Sequence, residues 1–267
     1  MNIDDCQRTS HKGVGNNLGP SVLDHRTMLA LKRWNTPTIY NGWEQVTDRD
    51  ISRECFNLEP VRDFMPQMGP MVGRAVTVVF EPSNPVHKDN ASAWSEYYAY
   101  VASVPGPKIT VVQDLDKPVL KGAFWGEVNS NIHKSLGCVG TITDGAIRDV
   151  DEMTNAGFKA LARGMCIGHA FSTPVRWGEC VEVFGVAVEP GRLIHADKHG
   201  FIVIPPEDEA GLLEASEFMD RNECNTVIPA GRSASGKTYE QVLNEIKEAS
   251  RQSSQAIHKQ FGRRGEW

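Results

Sequence analysis

The order of apolar and amphipathic segments along this 267-residue chain predicts an α/β fold with mixed sheets. Three observations lead there. Short β-branched runs in the middle of the chain alternate with segments of helical period, the pattern of strand-crossover-strand units. The strand-like runs between residues 181 and 204 lie too close together for helical crossovers, which predicts a partly antiparallel second sheet. Hydrophobic residues make up 40% of the chain and charged residues 23%, the balance of a globular protein with a substantial core.

Residues 1–20 are polar and read as a flexible arm or as a segment that docks on another subunit. Residues 25–43 carry a helical apolar pattern through Met28, Leu29, Leu31 and Trp34, with an extended turn expected before Pro37. The run 71–80 is a strong strand, and the polar, proline-bearing stretch 81–91 reads as loop. Residues 94–104, rich in aromatics, are expected to be helical, and 109–112 is the next strand. A helix is predicted over 126–136, with Val128, Ile132 and Leu136 spaced by four. Residues 138–143 form a buried strand that ends at Asp144-Gly145, read as a turn or helix entry. Ile147, Val150 and Met153 then share a helical stripe. Residues 158–162, 181–188 and 200–204 read as strands, the last closed by Pro205-Pro206. Helices are expected over 207–221 and 239–261. The implied organisation is an arm (1–20), a main domain (21–235) and a helical extension (236–267).

Composition excludes several classes of function. The formal net charge of -6 disfavours a nucleic-acid backbone as partner. No apolar run approaches the ~18 residues of a membrane span, and the first residues lack an apolar signal core. Six cysteines contain no Cys-x-x-Cys pair, so reduced thiols, a cytoplasmic location and no zinc site are expected. Gly231 to Thr238 satisfies the phosphate-loop pattern, but Pro229 spoils the preceding strand, and a helix-entry turn with Ser235 near the cap is the better reading.

Two strand-to-helix junctions are candidates for chemistry. At the first, Arg148 is expected in the first helical turn, where the helix dipole disfavours a cation unless an anionic ligand compensates. Arg148 and Asp149 together can hold a carboxylate and a divalent cation. At the second, Gly126 lets a ligand approach the free N–H groups of a helix start, and Glu127 can act as a general base. A pair of ordinary turns carrying surface charges fits the same spacing. His169 can line such a pocket, His133 is expected exposed, and His195 and His199 flank Asp197 at a solvent-facing hairpin. Trp94, Tyr97, Tyr98 and Tyr100 read as core or subunit interface.

The spacing of Gly137, Gly140, Asp144-Gly145 and Arg148-Asp149 resembles the signature of the RraA-like family. That family includes 4-hydroxy-4-methyl-2-oxoglutarate / 4-carboxy-4-hydroxy-2-oxoadipate aldolases and the regulator of ribonuclease E. Residues 72–77, 123–127, 162–164 and 188–205 match further family elements in order. The segment Ile39-Tyr40-Asn41-Gly42-Trp43 departs from the family's usual Asp-Ala pair, and the loop 81–95 is unusual. The resemblance implies a layered β/β/α sandwich of the swivelling-domain type, assembled as a homotrimer or hexamer. It implies a divalent metal, Mg²⁺ or Mn²⁺, held by Asp149, with Glu223 reaching the metal of a neighbouring subunit. Arg148 would bind the oxo-acid end of the substrate, the amides of Val128 and Asn129 beside Gly126 its carboxylate, and Glu127 would handle a proton. The implied activity is aldol cleavage of a hydroxylated 2-oxo dicarboxylic acid to pyruvate, with oxaloacetate decarboxylation as a related reaction. The rivals are a non-catalytic regulator of RNA processing and another metal-assisted hydrolase or isomerase. The complete Asp-Gly and Arg-Asp set favours an enzyme.

Overall fold

A computed structural model describes residues 23–264. The expected arm at 1–20 lies outside the described residues. In chain order the elements are α1 (His25–Leu31), α2 (Thr36–Val46), β1 (Arg62–Asp63), β2 (Met71–Phe80), α3 (Ala93–Ser103), β3 (Lys108–Asp114), β4 (Ala123–Trp125) and α4 (Glu127–Ser135). They continue with β5 (Cys138–Ile147), α5 (Val150–Asn155), β6 (Lys159–Met165), β7 (Pro174–Trp177), β8 (Val181–Val183), β9 (Val186–Val188), β10 (Leu193–Asp197) and β11 (Gly200–Ile204). Three helices close the described chain: α6 (Glu209–Asn225), α7 (Val227–Arg232) and α8 (Tyr239–Phe261). Among the described residues no helix is long and apolar enough to cross a membrane.

The chain divides into two compact units. The first comprises Arg49–Glu209 together with the segment ending at Thr36. Its nine-stranded sheet has the order β1-β6-β5-β3-β2-β10-β11, with β4 added on β5 and β7 on β2. Strands β2, β3, β5 and β6 run parallel, while β10 and β11 run antiparallel beside β2. All ten residues of β2 are buried, as a strand covered on both faces requires. Alternation sorts its side chains to opposite sides. Val76, Val78 and Phe80 pack with Tyr97 and Val101 of α3, and Ala75 and Val79 pack with Val181, Val183 and Val186 of the β8–β9 ribbon. Helix, sheet and ribbon thus form α, β and β layers, the mixed α/β architecture expected.

The second unit holds Pro37–Asp48 and the chain from Ala210 onward. Gly42 of α2 sits so close to α6 that a Cβ there would collide with Ser216, 2.6 Å from its backbone N. The capping box of α8 joins Thr238 and Gln241, and Gly262 ends the helix with φ 69°.

The structure corrects several local expectations. Strand β5 runs through Asp144-Gly145 to Ile147, and its ladder with β6 shifts register between Thr143 and Ala146. Asp-Gly is here an irregularity inside a strand, not a turn. Gly145 is required because a Cβ would meet Asp114 Oδ2 at 2.7 Å. A turn over 32–35 separates α1 from α2 as expected, but Pro37 itself sits in the first turn of α2, where its missing N–H costs nothing. The run 181–188 is a hairpin turning at Phe184 and Gly185, with φ 50° and 78°. The segment 227–232 is helical, and the cap that follows is Thr238, not Ser235. The thiols of Cys55, Cys138, Cys166 and Cys224 are free, but Cys180 is disulfide-bonded.

Candidate functional site

The apolar strand β4 is fully buried and delivers the chain to Gly126, the N-cap of α4. The parallel neighbour β5 delivers it to Arg148 and Asp149, whose side chains are 37% and 36% exposed. Both junctions lie at carboxyl ends of parallel strands, where open α/β sheets place ligands. They meet at Gly126: a Cβ there would lie 2.6 Å from Asp149 Oδ2 and 3.2 Å from Arg148 Nε. Only a residue without a side chain permits that approach.

Asp149 takes a left-handed conformation, φ 54° and ψ 48°, at the N-cap of α5. Its carboxylate does not cap its own helix. Oδ2 instead accepts from the Glu127 N–H at 3.0 Å, across the junction. A non-glycine residue in that conformation stores strain that marks functional turns. Arg148 lies before the cap, so the expectation that placed it in the first helical turn is corrected. The strand persists to Ile147 and the left-handed turn starts the helix only at Val150. The Arg148 guanidinium is anchored by Nη1 donating to the Ile167 carbonyl at 3.3 Å, with Nε 3.6 Å from Asp149 Oδ2.

A cavity of about 500 Å³ opens at this meeting point. Gly126, Glu127, Val128, Asn129, Arg148 and Asp149 all line it, as does His169. The N–H groups of Val128 and Asn129 belong to the first helical turn and have no preceding helical carbonyl to bond. The arrangement offers amide donors, a guanidinium and two carboxylates around one space. It can bind a small anion, stabilise negative charge on an adjacent oxygen and accept a proton. Glu223 belongs to the second unit, where it accepts from Asn41 Nδ2 at 3.1 Å. A smaller cavity of about 100 Å³ beside Cys55 has arginine-lined walls, but Arg192 is paired with Glu189 and Arg49 with Glu54.

Helix α4 presents a different face from the one its apolar spacing suggested. Val128 is 73% exposed, while Ser130 and His133 are buried. His133, expected exposed, lies under Trp125 with ring centroids 4.6 Å apart. Its Nδ1 faces the Asn129 carbonyl and its Nε2 the Tyr97 hydroxyl, each at 2.8 Å. A carbonyl can only accept, so Nδ1 carries the hydrogen and Nε2 accepts from Tyr97. Burial lowers the His133 pKa to about 4, which keeps the ring neutral. His195 is likewise buried, and its pKa falls to about 4 for the same reason. The expected hairpin joins β10 to β11 with Lys198 and His199 exposed at its turn, but His195 and Asp197 are buried at the strand end, Asp197 accepting from the Thr36 N–H at 3.0 Å.

Sequence reasoning missed the aromatic part of the cavity lining, Trp94, Tyr98 and Phe124. The signal was available in the spacing of Trp94 and Tyr98, four residues apart on one helical face.

Among the described residues no cluster of three His, Cys, Asp or Glu side chains could hold a metal ion. The carboxylates at this cavity are Asp149, 36% exposed, and Glu127 at the start of α4. That suits Mg²⁺ or Mn²⁺, which keep several waters and need few protein oxygens. It does not suit structural zinc.

The RraA-like (Aldolase/RraA) family model matches residues 36–203. An uncharacterized protein of Methanocaldococcus jannaschii is 29% identical over 119 residues, covering 43% of this chain and 56% of that protein. A putative 4-hydroxy-4-methyl-2-oxoglutarate aldolase of Halalkalibacterium halodurans is 31% identical over 96 residues, 36% of this chain and 46% of that protein. The chain thus spans about half the length of these two curated relatives. The crystal structure of RraAS2 from Streptomyces coelicolor, an unusual member of the RNase ES inhibitor RraA family, superposes with a TM-score of 0.59 at 21% identity, covering 76% of this chain and 95% of that one. That likeness is one of fold. The sheet order, the two junctions and the extent of the family match lead to one assignment: the chain belongs to the RraA-like family.

Proposed function

We propose that the protein is a divalent-metal-dependent carbon–carbon lyase that releases pyruvate from a hydroxylated 2-oxo acid. The observation that carries the reading is the meeting of Arg148, Asp149 and the first turn of α4 across Gly126, at one cavity. The family match and the aldolase named among the relatives support it.

The substrate carboxylate accepts from the N–H groups of Val128 and Asn129, aided by the positive end of the α4 dipole. Arg148 donates to the 2-oxo oxygen and holds the charge that grows there as an enolate forms. Glu127 accepts the proton of the 4-hydroxyl. The C3–C4 bond then breaks, its electrons pass to C2–C3, and the carbonyl product departs. Protonation at C3 completes pyruvate. A divalent cation held by Asp149 supplies Lewis-acid polarisation of the oxo group when bound. Enolate stabilisation of the same kind serves loss of CO₂ from oxaloacetate. The reading also has the chain assemble as a trimer or paired trimers, with Glu223 reaching the metal of a neighbouring subunit.

The test is pyruvate release from 4-hydroxy-4-methyl-2-oxoglutarate and related hydroxylated 2-oxo acids, with Mg²⁺ or Mn²⁺ and with chelator. The reading expects turnover only with metal. A regulator of RNA processing on the same fold would give none under either condition.

A further inference from the structure

The cavity at Arg148 has two chemically different ends. Beside the amides and the guanidinium, the same cavity is lined by Trp94 and Tyr98, one turn apart on α3, and by the largely buried Phe124 of β4. The Trp94 ring lies 5.3 Å from Tyr98 and 5.4 Å from Phe124 between centroids, at interplanar angles of 37° and 30°. These rings are fixed, not merely nearby. The Tyr98 hydroxyl donates to Asn129 Oδ1 at 3.1 Å, and Asn129 Nδ2 donates to the Phe124 carbonyl at 2.9 Å. Asn129 therefore ties the aromatic wall to the helix start that forms the anion end. Burial pushes the Tyr98 phenol up to about 12, so the wall stays uncharged.

Charge separates the two ends further. Among the described residues lining the cavity, only Arg148 and His169 can carry positive charge, and Glu127 and Asp149 oppose them. No lysine or second arginine lines it. A second substrate carboxylate pressed against the rings would lose its hydration there, with His169 the one possible cationic partner lining the cavity besides Arg148. It would also face the negative faces of the rings. An aromatic group placed there gains apolar contact and ring stacking instead. A volume of about 500 Å³ is of the size that encloses such a molecule, and far exceeds what pyruvate alone requires.

We propose that this cavity is a two-part site for an aryl-bearing 2-oxo acid, its oxo-acid end at Arg148 and the Val128–Asn129 amides, its ring against Trp94, Tyr98 and Phe124. The proposal rests on the reading that the Arg148 junction binds an oxo acid. It replaces the second carboxylate implied by the family resemblance with an aromatic group.

The test is equilibrium binding of pyruvate, phenylpyruvate and 2-oxoglutarate to the full chain with Mg²⁺, by titration calorimetry. Phenylpyruvate is expected to bind at least about tenfold tighter than pyruvate, and 2-oxoglutarate no tighter than pyruvate. Trp94→Ala is expected to bring the phenylpyruvate-to-pyruvate ratio close to one. Tyr98→Leu, at a half-buried position, is expected to lower the same ratio and serves if the tryptophan variant does not fold. A preference for 2-oxoglutarate, an aryl preference that survives both substitutions, or no binding of any of the three overturns the proposal. The lyase reading fails separately: aryl preference without pyruvate release from any hydroxylated oxo acid defeats the lyase and leaves the two-part site standing. Release from dicarboxylic substrates without aryl preference does the reverse.

Discussion

At the scale of single residues, the proposed lyase reading rests on Arg148 and Gly126. Replacing Arg148 by Ala removes a charged donor aimed at the developing enolate and is expected to lower kcat about 10²–10³-fold. Arg148→Lys should recover little of that loss, because an ammonium cannot reproduce the fork that binds a planar acid. Steady-state pyruvate release measures both. Gly126→Ala sets a methyl group 2.6 Å from Asp149 Oδ2. The variant is expected to lose activity out of proportion to any change in melting temperature, since the carboxylate and guanidinium must both move. A third residue prediction concerns Asp114. Its Oδ2 is buried without a hydrogen-bond partner, near Asp144, Asp116 and Lys117, and burial pushes its pKa up to about 7. A carboxyl raised in the folded state stabilises the fold below pH ~3.8 and loses that contribution as pH climbs through about 7. His133 and His195, both lowered to about 4, act in the opposite sense, their contribution falling as pH drops below ~6.5. Asp114→Asn removes the Asp114 contribution and leaves those of the histidines and of Asp144, which burial also raises, in place. The melting temperature of the variant minus that of the natural protein should therefore increase from pH 4.5 to 7.5. A constant difference would contradict the argument.

At the scale of elements, Gly145→Ala tests the irregular strand β5. Its Cβ would meet Asp114 Oδ2 at 2.7 Å and Asp114 Cβ at 3.0 Å, so a loss of about 1–3 kcal/mol is expected in denaturant unfolding. A turn at Asp144-Gly145, as the dipeptide suggested, would tolerate alanine far better. That contrast explains what could be read from the sequence. Strand β2 and helix α8 matched their expected bounds because each has an unbroken period with clear stops, Phe80 before a polar loop and Thr238 before a capping box. Strand β5 was shortened because Asp-Gly is locally a turn signal, and the parallel neighbours that keep it extended are distant in sequence. The β8–β9 hairpin was hidden because Phe184, with φ 50°, is an unusual turn residue. Helix α4 was legible as a helix, but not by face. Its buried residues are Ser130 and a histidine satisfied by Tyr97 and Asn129, which no hydropathy pattern marks. The residues of the two junctions could be named from their motifs, whereas the aromatic wall depends on how α3 packs on β4.

For the molecule as a whole, the mixed sheet of the first unit places the ends of β4 and β5 side by side, and the family match covers that unit's central part. Parallel pairing of β4 with β5 is what lets two separate strand-to-helix turns share one cavity. Function then reduces to whether that shared space stabilises an enolate. The most direct measurement is pyruvate release by the natural protein and by Asp149→Ala, with Mg²⁺, with Mn²⁺ and with chelator, alongside a melting curve for each. Metal-dependent release that disappears in Asp149→Ala, with folding retained, is the expected result. Metal-dependent release undiminished in a folded Asp149→Ala variant, or no release from any hydroxylated 2-oxo acid by the natural protein, would contradict the account.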